Sequence, residues 1–104
     1  MTNMNNAKQA KKANSTSNSR VGVAAIIIQD RLAAAPTVNK ILSEYGEIIV
    51  GRMGLPYKDR QVSVISLILD GDTDTIGAMT GKLGAIAGVR SRVTLVPLDE
   101  KSGE

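Results

Sequence analysis

Residues 62–89 read VSVISLILDGDTDTIGAMTGKLGAIAGV, and this stretch decides the fold. Its opening, VSVISLIL, is β-branched and apolar over a length that suits a buried strand. Asp70-Gly71-Asp72 ends the run. The carboxylates there are placed to cap a helix, because they would face its positive N-terminus. Ile76, Met79, Thr80, Leu83, Ile86 and Ala87 follow with the helical period and make one buried stripe. Gly88 closes the helix, and Val89 to Val96 is a further strand stopped by Pro97.

Working upstream, Val21 to Ile28 is a second β-branched, apolar run bounded by Gln29-Asp30. Val38, Ile41, Leu42 and Tyr45 then fall on one helical face. Pro36 suits the first turn of that helix, where a missing N–H is harmless. Gly46 suits the position just past its end, where φ is positive. Glu47 to Gly54 reads as a strand, Leu55 to Arg60 as a loop containing Pro56 and Asp59, and Gln61 to Leu69 as the third strand. The order is β-α-β-β-α-β. That is an α+β, ferredoxin-like pattern, with a four-stranded antiparallel sheet carrying two helices on one face.

Such a sheet should alternate apolar and polar residues along each strand. These strands do not. Val21, Val23 and Ile27 share one parity, and Ala24, Ile26 and Ile28 the other; Val62, Val64 and Ile68 oppose Ile65, Leu67 and Leu69. Two helices cover one face only, so the other should be covered by a second copy. The expectation is a homo-oligomer, dimer or tetramer, formed through the open sheet face with strand edges as a further contribution; the competing reading is a monomer whose strand-end residues are only partly exposed. Gly77, Gly81, Gly84 and Gly88 add a smooth stripe along the second helix. Tight packing against the first helix is the preferred reading of it, ahead of an intersubunit or ligand contact.

Composition removes many functions. The 104 residues contain no Cys, His, Trp or Phe. Disulfides, cysteine-ligated iron–sulfur centres, structural zinc and Cys or His catalysis are excluded, as is an aromatic platform for single-stranded nucleic acid. The net charge of +3 is local: residues 1–20 hold four bases and no acid, whereas residues 21–104 hold nine bases and ten acids. Nucleic-acid binding by the body is therefore not expected. Residues 1–19 read as a disordered polar, basic tail, residues 20–97 as the domain, and residues 98–104 as a flexible C-terminus. The longest apolar run is too short to span a membrane, and nothing resembles a secretory leader. A cytoplasmic protein is expected.

Motifs with chemistry fail on inspection. Asp70, Asp72 and Asp74 open like a calcium loop, but Thr75 and Gly81 stand where that loop needs Gly and Glu. Gly77 to Leu83 lacks the spacing and the hydroxyl of a phosphate loop. No catalytic residues, metal ligands or cofactor are assigned.

Three segments carry a family resemblance: RVGVAAIIIQDR at 20–31, VNKILSEYGEIIVGRMGLPY at 38–57 and the stretch at 62–89. Glu44-Tyr45-Gly46, Gly51 to Tyr57 and Gly81-Lys82-Leu83-Gly84 are its most specific parts. The sequence resembles a family of small bacterial regulators of iron-only hydrogenase systems, some grouped loosely with CopG-type regulators. The resemblance implies an ACT-like fold, similar to the C-terminal domain of nickel-responsive repressors. It also implies sheet-built dimers or tetramers, with small ligands at subunit interfaces near the first strand–helix loop. Here that loop holds Gln29, Asp30 and Arg31. The chain lacks the His and Cys that bind nickel, and nineteen polar residues cannot supply a ribbon-helix-helix DNA reader.

Arg52 lies among apolar residues and glycines, and a covered guanidinium needs an anionic or carbonyl partner. The candidate ligand site is Gln29, Asp30, Arg31, Arg52 and Tyr57, receiving a small anionic effector between subunits. The competing reading of Arg52 is an intersubunit salt bridge to Glu44 or Glu47. The expected function is a non-catalytic, oligomeric ligand-sensing module acting on an effector or a partner protein. The alternatives are a CopG-type DNA-binding repressor using the basic tail or a partner, and a small ferredoxin-like enzyme.

Overall fold

The computed structural model describes residues 19–98. The readings of residues 1–18 as a tail and of 99–104 as a flexible end lie outside the described residues. β1 (Ser19–Ile28), α1 (Arg31–Glu44), β2 (Ile49–Tyr57), β3 (Val62–Asp72), α2 (Thr73–Gly84) and β4 (Val89–Pro97) follow one another in that order. Single 3-10 turns at Gly46–Ile48 and Lys58–Arg60 flank β2. The sheet order is β2-β3-β1-β4 with every pairing antiparallel, as the β-α-β-β-α-β pattern requires.

One parity of each inner strand faces the helices. Ala24, Ile26 and Ile28 of β1 and Ile65, Leu67 and Leu69 of β3 are buried there. They meet Ala34, Val38, Ile41 and Leu42 of α1 and Ile76, Met79 and Leu83 of α2, which form one core. Ile86 packs partly against that core, while Ala87, expected in the stripe, is exposed. Asp72 caps α2 by accepting the Thr75 N–H at 2.6 Å, and that bond holds its carboxyl below the ordinary carboxylate pKa. The helices are tied on the outside by Lys82, whose Nζ lies 3.6 Å from Glu44 and 5.1 Å from the centre of the Tyr45 ring.

Several boundaries differ from the expectation. Ser19 belongs to β1, and its hydroxyl donates to Asp70 at 3.3 Å. α1 starts at Arg31, capped by Asp30, so Pro36 lies inside the helix and not in its first turn. Its ring is on the exposed side, and the carbonyl deprived of a partner belongs to Leu32, itself exposed to water. Gly46 begins a 3-10 turn without a positive φ; among the described glycines only Gly88, at φ 80°, is left-handed. Leu55-Pro56-Tyr57 continues β2 rather than forming a loop. Proline is tolerated there because β2 is an edge strand and does not need every N–H. Gly22 is required by close approach: a Cβ would stand 2.4 Å from the Thr94 carbonyl oxygen on β4.

The glycine stripe does not face the first helix. A Cβ added at Gly77, Gly81 or Gly84 would meet nothing within 4 Å. The expected tight helix–helix packing is thus corrected: these glycines look outward, beside β4.

Candidate functional site

The β1–α1 junction is built by three local interactions. The Gln29 N–H donates to the Gly88 carbonyl at 2.8 Å, which ties the end of β1 to the start of β4. Asp30 turns its carboxylate onto the Ala33 N–H at 3.3 Å. Arg31 then opens α1. On the far side, β2 runs out through Tyr57 into the Lys58–Arg60 turn, and Gln61 takes a left-handed φ of 57° to start β3. That conformation is uncommon for a residue with a Cβ and costs about 1–2 kcal/mol.

Between these two ends lies an open cleft of about 160 Å³. Gln29 and Arg31 form one wall; Tyr57, Lys58 and Gln61 form the other; Ile28, Pro56, Val62 and Ser63 complete it. None of these nine residues is acidic, and two are cationic. The cleft brings together Gln29, Arg31 and Tyr57 of the expected site. Asp30 is committed to its helix cap and is not a wall of the cleft.

Arg52 is elsewhere. It stands opposite Leu67 in the β2–β3 register, on the helix side of the sheet, and its Nη2 donates to the Asn39 side-chain carbonyl on α1. A β-bulge explains this position. Ile49 pairs with Leu69 and Gly51 with Ile68, so Val50 is an extra residue. The insertion reverses the parity of everything after it. Without it Arg52 would share the open face. Lys58, Gln61 and Ser63 were not among the expected site residues: Ser63 is set beside the end of β1 by its pairing with Ile28, and Lys58 and Gln61 are brought alongside by the Lys58–Arg60 turn, a meeting of distant segments that spacing does not show.

Among the described residues, no helix covers the opposite sheet face. Val23, Ala25, Ile27, Val64, Ile68, Met53 and Leu55 share it by register. Val23 is 54% exposed, Ile68 50% and Met53 70%, so its apolar character is real surface. Tyr57 and Val62 belong both to the end of this face and to the cleft. Among the described residues no cluster of His, Cys, Asp and Glu converges as a metal site, and no helix is long and apolar enough to cross a membrane.

Comparison with known proteins adds the family. Residues 20–93 match the model of the TM1266-like family, described as "Iron-only hydrogenase system regulator, putative". The chain belongs to this family. The TM1266-like chain is similar to the uncharacterized protein TM1266 from Thermotoga maritima, with 41% identity and a TM-score of 0.70 over 78% of this chain and 99% of that one. It also resembles the ACT domain from GTP pyrophosphokinase of Chlorobium tepidum, with 18% identity and a TM-score of 0.58 over 80% of this chain and 92% of that domain. The second likeness establishes an ACT-like ferredoxin fold. A search of the curated proteins finds no match.

Proposed function

We propose that this TM1266-like chain is a non-catalytic, oligomeric sensing module of a hydrogenase regulatory system. Copies associate through the open sheet face, and a small anionic effector enters the cleft at the β1–α1 junction. The observation that carries the reading is the group of exposed apolar side chains on one sheet face, with Val23 opposite Ile68 at its centre and Met53 and Leu55 of β2 at its side. From strand spacing and rise, the face covers on the order of 500 Å². Its apolar part, on β1, β2 and β3, is smaller than the whole face, and contiguous apolar patches of a few hundred Å² mark interaction surfaces.

The cleft supports the effector half of the reading. Arg31 and Lys58 supply positive charge, Gln29 and Gln61 supply amide groups, and no wall residue is acidic. Its volume of about 160 Å³ suits a ligand of few heavy atoms. Tyr57 and Val62 link cleft and face, so a ligand that fits the assembled form better than the separate chain shifts the equilibrium between them. That linkage would let a small molecule set the assembly state presented to a partner protein. The test is the solution mass of the chain beside that of an Ile68→Lys variant; association through the face predicts a heavier wild type.

A further inference from the structure

β2 and β4 are the two edges of the sheet, and they differ. β2 carries a bulge at Val50, glycines at 51 and 54, and Pro56, all of which spoil an edge for pairing. β4 pairs with β1 without interruption from Val89 to Pro97 and holds no Gly or Pro before that last residue. Its outer edge therefore offers backbone N–H and C=O groups in alternation. Val89, Ser91 and Val93 stand opposite the buried Ile28, Ile26 and Ala24, on the helix side, and the exposed Arg90 and Arg92 alternate with them. An open groove of about 470 Å³ runs between this strand and α2, and both arginines take part in its lining. Arg92 Nη1 donates to the Ser91 carbonyl at 3.2 Å, which uses one of the five N–H groups of the guanidinium. Among the described residues, no carboxylate pairs with Arg90 or Arg92.

We propose that the β4 edge docks an extended acidic segment of a different protein, with a carboxylate at every second residue. Charge selects this occupant. Arg90 and Arg92 leave the same face of the strand about 7 Å apart. A partner strand with alternating acids sets a carboxylate beside each guanidinium, and opposite charges across two strands attract. A second β4 would bring more arginines, and the same residues discourage it. The chain's own ends do not match either. Residues 1–18 contain no acid, and Asp99 and Glu100 are adjacent, a spacing that sends side chains to opposite faces of a strand. The backbone selects a peptide over a nucleic acid. A strand edge needs donors and acceptors in alternation, whereas a phosphate chain only accepts, and no aromatic ring lines the groove to stack a base. The residues between the acids fall on the helix side, beside Val89 and Val93, where apolar side chains fit. The pattern recognised is acidic, apolar, acidic, apolar. Main-chain hydrogen bonds supply affinity and the two arginines supply choice.

The test uses the full-length chain and a short fluorescein-labelled peptide of alternating Glu and Val, followed by anisotropy. Saturable binding that weakens with added salt is expected. Arg90→Glu combined with Arg92→Glu should lose at least tenfold in affinity for this peptide. The same variant should gain binding of the corresponding Lys and Val peptide. Both positions are exposed, so an unchanged circular dichroism spectrum is expected of the variant. Ile68→Lys on the open face and Arg31→Ala in the cleft should bind the Glu and Val peptide as wild type does, because this edge is a separate surface. A peptide of the same composition with its Glu residues gathered at one end should bind more weakly, as should the alternating peptide with every amide N-methylated. No binding, unchanged binding by the double variant, or binding of the gathered peptide, the N-methylated peptide or a single-stranded oligonucleotide equal to that of the alternating peptide would each overturn the proposal.

Discussion

Val23 of β1 stands directly across from Ile68 of β3, and about half of each side chain is open to solvent. These are the two inner strands of the sheet. Side chains at the centre of a solvated sheet face are ordinarily polar, as Ser66 and Arg92 are in the neighbouring row. A β-branched pair in this position gives the face its sticky centre. The arginines of β4 and Asp70 of β3 lie toward its rim, which is the arrangement of an interface core and its polar border.

Gly22 fixes how closely β1 and β4 approach. Gly22→Ala sets a methyl group 2.4 Å from the Thr94 oxygen, a backbone atom that cannot rotate away. The variant is expected to lose about 2–3 kcal/mol by overpacking, read as a lower urea midpoint. A midpoint equal to wild type would mean that the two strands can part without loss.

Asp72 makes α2 sensitive to acid. Its carboxyl is stabilised as the anion in the folded chain, chiefly by the Thr75 N–H, so its pKa lies below the ordinary value of 3.8. A depressed group contributes stability above its unfolded pKa and loses it as pH falls through the folded one. Asp72→Ala should cost about 1 kcal/mol at pH 7, the usual value of an N-cap. The gap between variant and wild type should narrow on acidification below pH 3.8. Asp72→Asn keeps an acceptor and should be milder at neutral pH. Thermal melts across that range check all three chains, and a gap that stays constant would exclude the carboxylate as the cap.

Arg31 and Arg52 should separate in a binding assay. Arg31 lines the cleft, whereas Arg52 is held by Asn39 on another part of the sheet. With inorganic phosphate as the anionic probe, wild type and Arg52→Ala are expected to bind alike by calorimetry. Arg31→Ala, and more so Arg31→Ala with Lys58→Ala, should weaken binding at least tenfold, since hydrogen bonds to a charged group contribute about 1.5–3 kcal/mol each. The reverse ranking would return the anion site to Arg52.

The order of elements, the core stripes and the apolar character of both sheet faces were legible in the sequence because each is a periodicity. Val38, Ile41 and Leu42, or Ile65, Leu67 and Leu69, declare their buried faces by spacing alone. The position of Arg52 was not legible. One extra residue at Val50 moves it from the open face to the helix face, and a bulge leaves no period behind. Pro36 and Pro56 each suggested a boundary that tertiary context overrode, one on the outer side of a helix and one on a sheet edge. The glycine stripe was visible as a stripe, but its direction depends on how α2 is rotated over the sheet. Half of the cleft came from the β1–α1 loop, which the family resemblance pointed to. The other half needed the turn that brings Lys58 and Gln61 alongside it.

The most direct test of assembly through the open face is light scattering coupled to chromatography, on wild type and Ile68→Lys, across a wide range of protein concentration. Residue 68 is half exposed, so the lysine can reach solvent in a separate subunit but would be buried without a partner in the assembly. The wild type is predicted to elute as a defined multiple of the 11.0 kDa chain, and Ile68→Lys as a smaller one with an unchanged circular dichroism spectrum. Equal masses for the two proteins at every concentration would contradict assembly through that face.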